Sequence, residues 1–338
     1  MEATKHLSGG WFPFAGLTWR SQRGVAYVLA AGLVMFPPPS EPATDLSRVF
    51  AKGDHAAYEV HADLHIETLR PGSEVWLPNE LEFWYRFSVD VTGLSSAGIA
   101  NLHYQRPYLV QVLGERFDAP QSTERIKENL DYDLQVSPAN EIIEAKALNG
   151  ATSKVESDDL IAHGWSRSQG PAFDDYRAEF MRLAMFVGGV DNSLDLAPRL
   201  PFAPVRLGDT WRRTVSFVPR RAAGPDEPNT KRVDFVYTYV GTRKSARGAV
   251  DRIHATLHLA EDLGGGNERM PMTLDAEADF DLDPKTRKTL YVAAKSTGEI
   301  RCFANEEDRD PIEIDRLKAE TRMVEDRGKG IKEEQSKK

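Results

Sequence analysis

Over residues 58–67 apolar and polar side chains alternate without a break. Tyr58, Val60, Ala62, Leu64 and Ile66 fall in one set, and Glu59, His61, Asp63, His65 and Glu67 in the other. A two-residue repeat belongs to extended chain, so this segment buries one face and wets the other. The same reading covers 81–91, rich in aromatics. It also covers 99–113 through Leu102, Tyr104, Tyr108, Val110 and Val112, where Pro107 predicts a bulge or an edge. Later strands are expected at 211–218, 233–240, 253–259, 274–282 and 289–294. Turn formers separate them at Pro71-Gly72, Pro78-Asn79, Gly224-Pro225-Asp226 and Gly264-Gly265-Gly266. Connections this short join antiparallel strands, because a parallel crossover takes about a dozen residues or more.

Two segments depart from the pattern. Over 173–187 the apolar residues Phe173, Tyr176, Phe180, Leu183, Ala184 and Val187 follow helical spacing, with Pro171 before and Gly188-Gly189 after. An amphipathic helix is expected there, covering a concave sheet surface with its apolar face. From 305 onward Glu, Asp, Arg and Lys dominate, with sparse apolar residues at Ile312, Ile314, Leu317 and Met323. That composition reads as a charged tail, partly helical or disordered, over 305–338.

Residues 24–36 form an uncharged apolar run preceded by Arg20 and Arg23 and followed by Pro37, Pro38 and Pro39. A bilayer span takes roughly 20 apolar residues, so the run fits a secretory h-region better than a stable membrane helix. Residues 1–44 are therefore read as a signal peptide or uncleaved signal-anchor with a Pro-rich linker. The chain is expected to be exported, to the periplasm or beyond. Cys302 is the single cysteine, which excludes an intramolecular disulfide, a cysteine-based zinc site and an iron–sulfur cluster. With 52 acidic against 43 basic residues the formal net charge is -9, and bulk attraction to nucleic acid is excluded.

The chain also resembles itself. Lys52-Gly53-Asp54 leads into one strand and Leu207-Gly208-Asp209 into another, 155 residues later. Residues 83–93 (FWYRFSVDVTG) match 233–243 (VDFVYTYVGTR), and Asp131-Tyr132-Asp133-Leu134 matches Asp279-Phe280-Asp281-Leu282. Three collinear matches predict two related curved antiparallel β units, 45–150 and 200–304, bridged by a helix-bearing connector over 151–199. Two sheets packed face to face and two joined edge to edge into one open barrel both satisfy this pattern.

The stretch from Leu200 through Pro201, Pro204, Val205, Gly208, Asp209 and Trp211, followed by Asp279-Phe280-Asp281-Leu282, resembles uncharacterised bacterial envelope proteins with a duplicated β unit. Their architecture is reminiscent of the LolA-like and LolB-like lipoprotein carriers, a half-barrel or sandwich of curved sheet covered by helix. The resemblance spans roughly 45–300 and departs in lacking a lipobox cysteine. It implies a non-catalytic envelope protein holding a lipid, an acyl chain or a protein partner on a concave β surface.

The chemistry-bearing residues support little else. His61 and His65, and likewise His254 and His258, lie about 13 Å apart if extended, too far to share one ion. Asp279 and Asp281 are about 7 Å apart on one face, within the range of a glycosidase pair, and carry the competing reading of an envelope glycan hydrolase. The same alternation is that of a wet strand face. A protein-interaction scaffold working through strand edges or the tail is the third reading. There is no G-x-S-x-G elbow near Ser166, Ser168 and His163, and no Lys-Ser/Thr follows the triple glycine. No catalytic residue, metal site or cofactor is expected. Trp84, Phe180, Leu183 and Trp211 are the candidate ligand-binding residues, and membrane contact is expected only through an uncleaved N-terminal segment.

Overall fold

The structure is a computed structural model that describes residues 42–113, 122–148, 154–155, 184, 198–217, 231–262, 269–305 and 307–326. Twelve strands appear among them: β1 (His55–Leu69), β2 (Leu77–Leu94), β3 (Ala100–Leu113), β4 (Ser122–Val136), β5 (Ile142–Ala147), β6 (Lys154–Val155), β7 (Thr210–Phe217), β8 (Lys231–Ser245), β9 (Gly248–Asp262), β10 (Pro271–Leu282), β11 (Thr289–Cys302) and β12 (Glu313–Asp326). All belong to one antiparallel sheet in the order β6-β5-β4-β3-β2-β1-β12-β11-β10-β9-β8-β7. The sheet lies in the compact unit Glu41–Lys338.

Alternation does what it should. In β1 Tyr58, Val60, Ala62, Leu64 and Ile66 are buried while Asp63 is exposed and His61 and His65 are half-buried. The parity continues through β12, where Asp315, Leu317, Ala319, Thr321, Met323 and Glu325 turn inward. One face of the sheet is thus apolar and buried and the other polar and wet.

Two expectations are corrected. The strands are not split into two separate units: all twelve belong to a single sheet, the edge-to-edge one of the two arrangements the repeat allowed, and no helical element is seen among the described residues, Ala184 alone having a helical backbone. The physical reason is the seam between β1 and β12, paired from Ala57 opposite Asp326 to Leu69 opposite Ile314. Either half alone would leave one of these long strands with a free edge and half an apolar face. The helix expected over 173–187 lies outside the described residues apart from Ala184. The second correction concerns 305–338: Glu313–Asp326 is a central strand, not a charged or helical tail. Its charges, such as Arg316, Lys318, Glu320 and Arg322, are its solvent face. Small or polar inward residues, Ala319 and Thr321 among them, hid the alternation.

One end of the sheet is closed. The turns β2–β3, β4–β5, β8–β9 and β10–β11 all lie there, together with the segments 42–54 and 198–209 that lead into β1 and β7. Those segments pair through Thr44 and Val205, whose amides and carbonyls exchange hydrogen bonds of 2.7 and 2.9 Å. The first donates to Pro138 O from Arg48 N and to Thr286 O from Val49 N, and the second donates to Ala139 O from Leu200 N. A space of 50 Å³ remains beside Arg48, Phe50 and Tyr58, room for about one or two waters. Burial holds the Arg48 guanidinium below, and the Tyr58 phenol above, their ordinary pKa values.

The two Gly-Asp turns have matching geometry. Gly53 and Gly208 sit at φ of 88° and 83°, a conformation that favours glycine. Gly53 N donates to Val91 O and Gly208 N to Tyr239 O, each at 2.8 Å. Asp54 Oδ2 accepts from Ala51 N, as Asp209 Oδ2 does from Arg206 N.

At the β10–β11 turn, Asp283 Oδ1 accepts from Lys285 N, Thr286 N and Thr286 Oγ1. Burial pushes this carboxyl up, but the hydrogen bonds from Thr286 and Lys285 and the Lys288 charge outweigh it, leaving the pKa below its ordinary value. A depressed folded pKa contributes stability above the unfolded value, near 4, that is lost as pH falls through the folded one. Asp283→Ala is therefore expected to cost about 1 kcal/mol at neutral pH and to flatten the acid limb of the stability curve. Urea melts between about pH 3 and pH 7 check this; an unchanged acid limb contradicts it.

Candidate functional site

The inner face is unequal from side to side. Toward β1–β4 it is aromatic: Tyr58 stacks on Phe87 at 4.9 Å between ring centres, and Phe87 on Tyr104 at 5.3 Å. Toward β9–β12 it is small. Ala255 lies opposite Ala278, Ala278 opposite Ala294, Ala294 opposite Thr321, and Thr321 opposite Ala62. Five adjacent strands thus place a short side chain in one transverse row, which Phe83 terminates on β2. At about 4.8 Å per strand, the row is roughly 20 Å long. The neighbouring row holds Ala276, Ser296 and Ala319, between Leu257 and Leu64.

The result is a strip of small side chains across the inner face, all of them buried, apolar except for the hydroxyls of Thr321 and Ser296. Small side chains let a backbone or an acyl chain approach the sheet closely. The chain itself uses this property: Ser296 Oγ donates to the carbonyl of Ala184 at 2.6 Å, and both residues are buried. Charged inner residues lie outside the strip. Arg106 rests its guanidinium 4.5 Å from the Tyr85 ring centre, and Asp315 accepts a hydrogen bond from Thr68 Oγ1 at 2.5 Å.

The wet face carries the titratable residues. Every described histidine meets a carboxylate: His55 with Asp90, His61 with Glu82, His65 with Glu80, His103 with Asp133, His254 with Asp279 and His258 with Asp275. These are cross-strand pairs of a solvated sheet. His61, Asp63 and Glu82 also bring one metal-type ligand atom each within 4.8 Å of the others. Both ring nitrogens of His61 are engaged, Nε2 by Glu82 at 2.6 Å and Nδ1 by Asp63 at 3.5 Å. An open groove of 660 Å³ over β7–β11 is lined by Arg212, Asp234, Thr256, His258, Glu277 and Lys295. Its charges of both signs are largely paired across strands, as Arg212 is with Asp234 and His258 with Asp275.

The hydrolase candidates do not stand free. Arg252 forks onto Asp281 at 2.7 and 2.9 Å and reaches Asp279 at 2.9 Å, so one guanidinium bridges both carboxylates, with Arg243 also 3.6 Å from Asp281 and His254 2.9 Å from Asp279. The ligand-binding candidates do not converge either. Trp84 lies on the solvent side of β2, with the Arg86 guanidinium 5.3 Å from its ring. Trp211, on the edge strand β7, stacks on Tyr237 at 5.6 Å and donates from Nε1 to Arg199 O. Phe180 and Leu183 lie outside the described residues. The alanine row was missed because alanine is a weak signal at any one position; only the inward parity of all five residues, taken together, marks it.

No protein-family model matches the chain, and no curated protein does. Solved structures give distant likenesses. One, described as lipid–protein interactions in lipovitellin, has a TM-score of 0.38 and 10% identity over 82% of this chain. This chain spans 25% of that protein's length. DynF from the dynemicin biosynthesis pathway of Micromonospora chersina has a TM-score of 0.21 and 8% identity, covering 84% of both chains. Salmonella typhi OmpF in complex with daunomycin has a TM-score of 0.25 and 7% identity, covering 80% of this chain and 98% of that one.

Proposed function

We propose that the protein is a non-catalytic, exported envelope protein that holds an apolar ligand, a lipid or acyl chain, along the small-residue strip of its inner sheet face. The observation that carries this reading is the row Ala255, Ala278, Ala294, Thr321 and Ala62, bounded on β2 by Phe83 and flanked by the second small row of Ala276, Ser296 and Ala319. A methylene chain laid along it is buried at about 0.8 kcal/mol per CH2, so a moderate acyl chain suffices for micromolar binding. The Ser296 to Ala184 contact puts the chain's own backbone on this strip, so a ligand would compete with it for one floor.

Native mass spectrometry of the protein taken from its own envelope fraction tests the proposal. A co-purifying lipid is expected, and Ala294→Phe, which fills the middle of the row, is expected to lose it while a melting curve shows a folded chain. Ser296→Ala removes the competing hydrogen bond and is expected to tighten binding of a fluorescent fatty acid. A bare polypeptide mass together with no fatty-acid binding by the wild type overturns the reading.

A further inference from the structure

We infer that the closed end of the sheet is a docking surface for an anionic lipid bilayer. Large apolar side chains are exposed there on several elements at once. Val49 is 56% exposed and Phe202 72%, one on each of the two closing segments. Leu207, on the turn before β7, and Leu94, the last residue of β2, are 55% and 45% exposed, and Val240, inside β8 next to Gly241, is 43% exposed. Leu207 lies against β8 at Gly241, where its Cδ1 would lie 3.0 Å from an added Cβ. Solitary exposed apolar residues are ordinary, but a cluster at one pole of a sheet marks an interaction surface.

Charge identifies the occupant. The chain as a whole carries -9, yet among the described residues at this end the exposed charged ones are five cations, Lys52, Arg206, Arg243 (itself 3.6 Å from Asp281), Lys244 and Lys285, against three anions, Asp45, Asp54 and Asp209. Each of those anions is already turned onto a backbone amide, of Ser47, Ala51 and Arg206 respectively. Exposed large apolar side chains with lysine and arginine at the same end suit a negatively charged interface, where the cations meet headgroups and the apolar tips enter the acyl boundary.

The inference shares the exported-envelope setting of the proposed function but does not need the apolar strip. It is tested on the full chain with an environment-sensitive fluorophore placed in turn at Val49→Cys, Leu207→Cys and, as the opposite-pole control, Val75→Cys, Cys302 being buried. Vesicles of phosphatidylcholine with about one-third phosphatidylglycerol are compared with phosphatidylcholine alone. The first two labels are expected to shift to the blue on the anionic vesicles and to return in high salt, while the third stays in water. Lys52→Glu, Lys244→Glu and Lys285→Glu combined are expected to weaken that shift's vesicle dependence about a hundredfold. Labels at Val49 and Leu207 that remain in water while the chain sediments with vesicles overturn the inference, as does an equal shift at Val75. Lipid retention by native mass spectrometry is read separately, so either reading can fail alone.

Discussion

Deleting residues 313–338 is expected to leave no folded protein. The segment looks dispensable by composition, being the most charged part of the chain. In the structure its strand β12 has both edges paired, to β1 and to β11, over nearly its whole length. Leu317, Ala319 and Met323 are each under 5% exposed. Removing it strips two central strands of their ladder partners and opens the buried face in the middle of the sheet. The loss exceeds the 5–15 kcal/mol or so that holds a domain of ordinary stability. Circular dichroism and urea denaturation measure the outcome, with a chain ending at Asp326 as the matched control that keeps the strand. A truncated protein with a native spectrum and a cooperative melt contradicts the topology.

Asp251→Ala is expected to destabilise the protein by about 3–5 kcal/mol. Asp251 is 2% exposed and accepts from Tyr239 Oη at 3.2 Å, from Thr242 Oγ1 and from the Arg287 guanidinium. The Arg287 side chain is itself only 13% exposed, so removing the carboxylate leaves a buried cation without its counter-charge. Arg287 also donates to Asp45 O at 3.0 and 3.1 Å, tying the segment 42–54 to the β10–β11 turn. The cost therefore includes loosening the closed end. Asp251→Leu combined with Arg287→Met removes both charges and is expected to recover more than half of the loss, because a buried pair is dearer to break than to replace. A single substitution costing under 1 kcal/mol in urea melts would show that Arg287 finds water instead.

Much of this sheet is legible in the sequence, and the reasons are local. Which residues of β1, β2 and β10 turn inward follows from parity alone, and the Gly-Asp and Asp283 turns follow from backbone and side-chain chemistry within a few residues. The failures are also local in origin. In β12 alanine and threonine take inward positions, so a hydropathy pattern sees only charge. The candidate site was less legible than the fold. Trp84 and Trp211 drew notice as large aromatics, but one faces solvent and the other stacks at an edge. The residues that form the row are four alanines and a threonine, small side chains that carry little signal one at a time.

The sequence by itself determined strands, antiparallel connections and the identity of the buried face, since each depends on neighbours along the chain. Only the tertiary structure decided that β1 and β12 are adjacent, that the two halves are one sheet, and that Ala62, Thr321, Ala294, Ala278 and Ala255 stand in one row. Those facts depend on register between strands far apart in the chain. Register is set by the summed burial and hydrogen bonding of whole strands, a quantity that no local pattern carries.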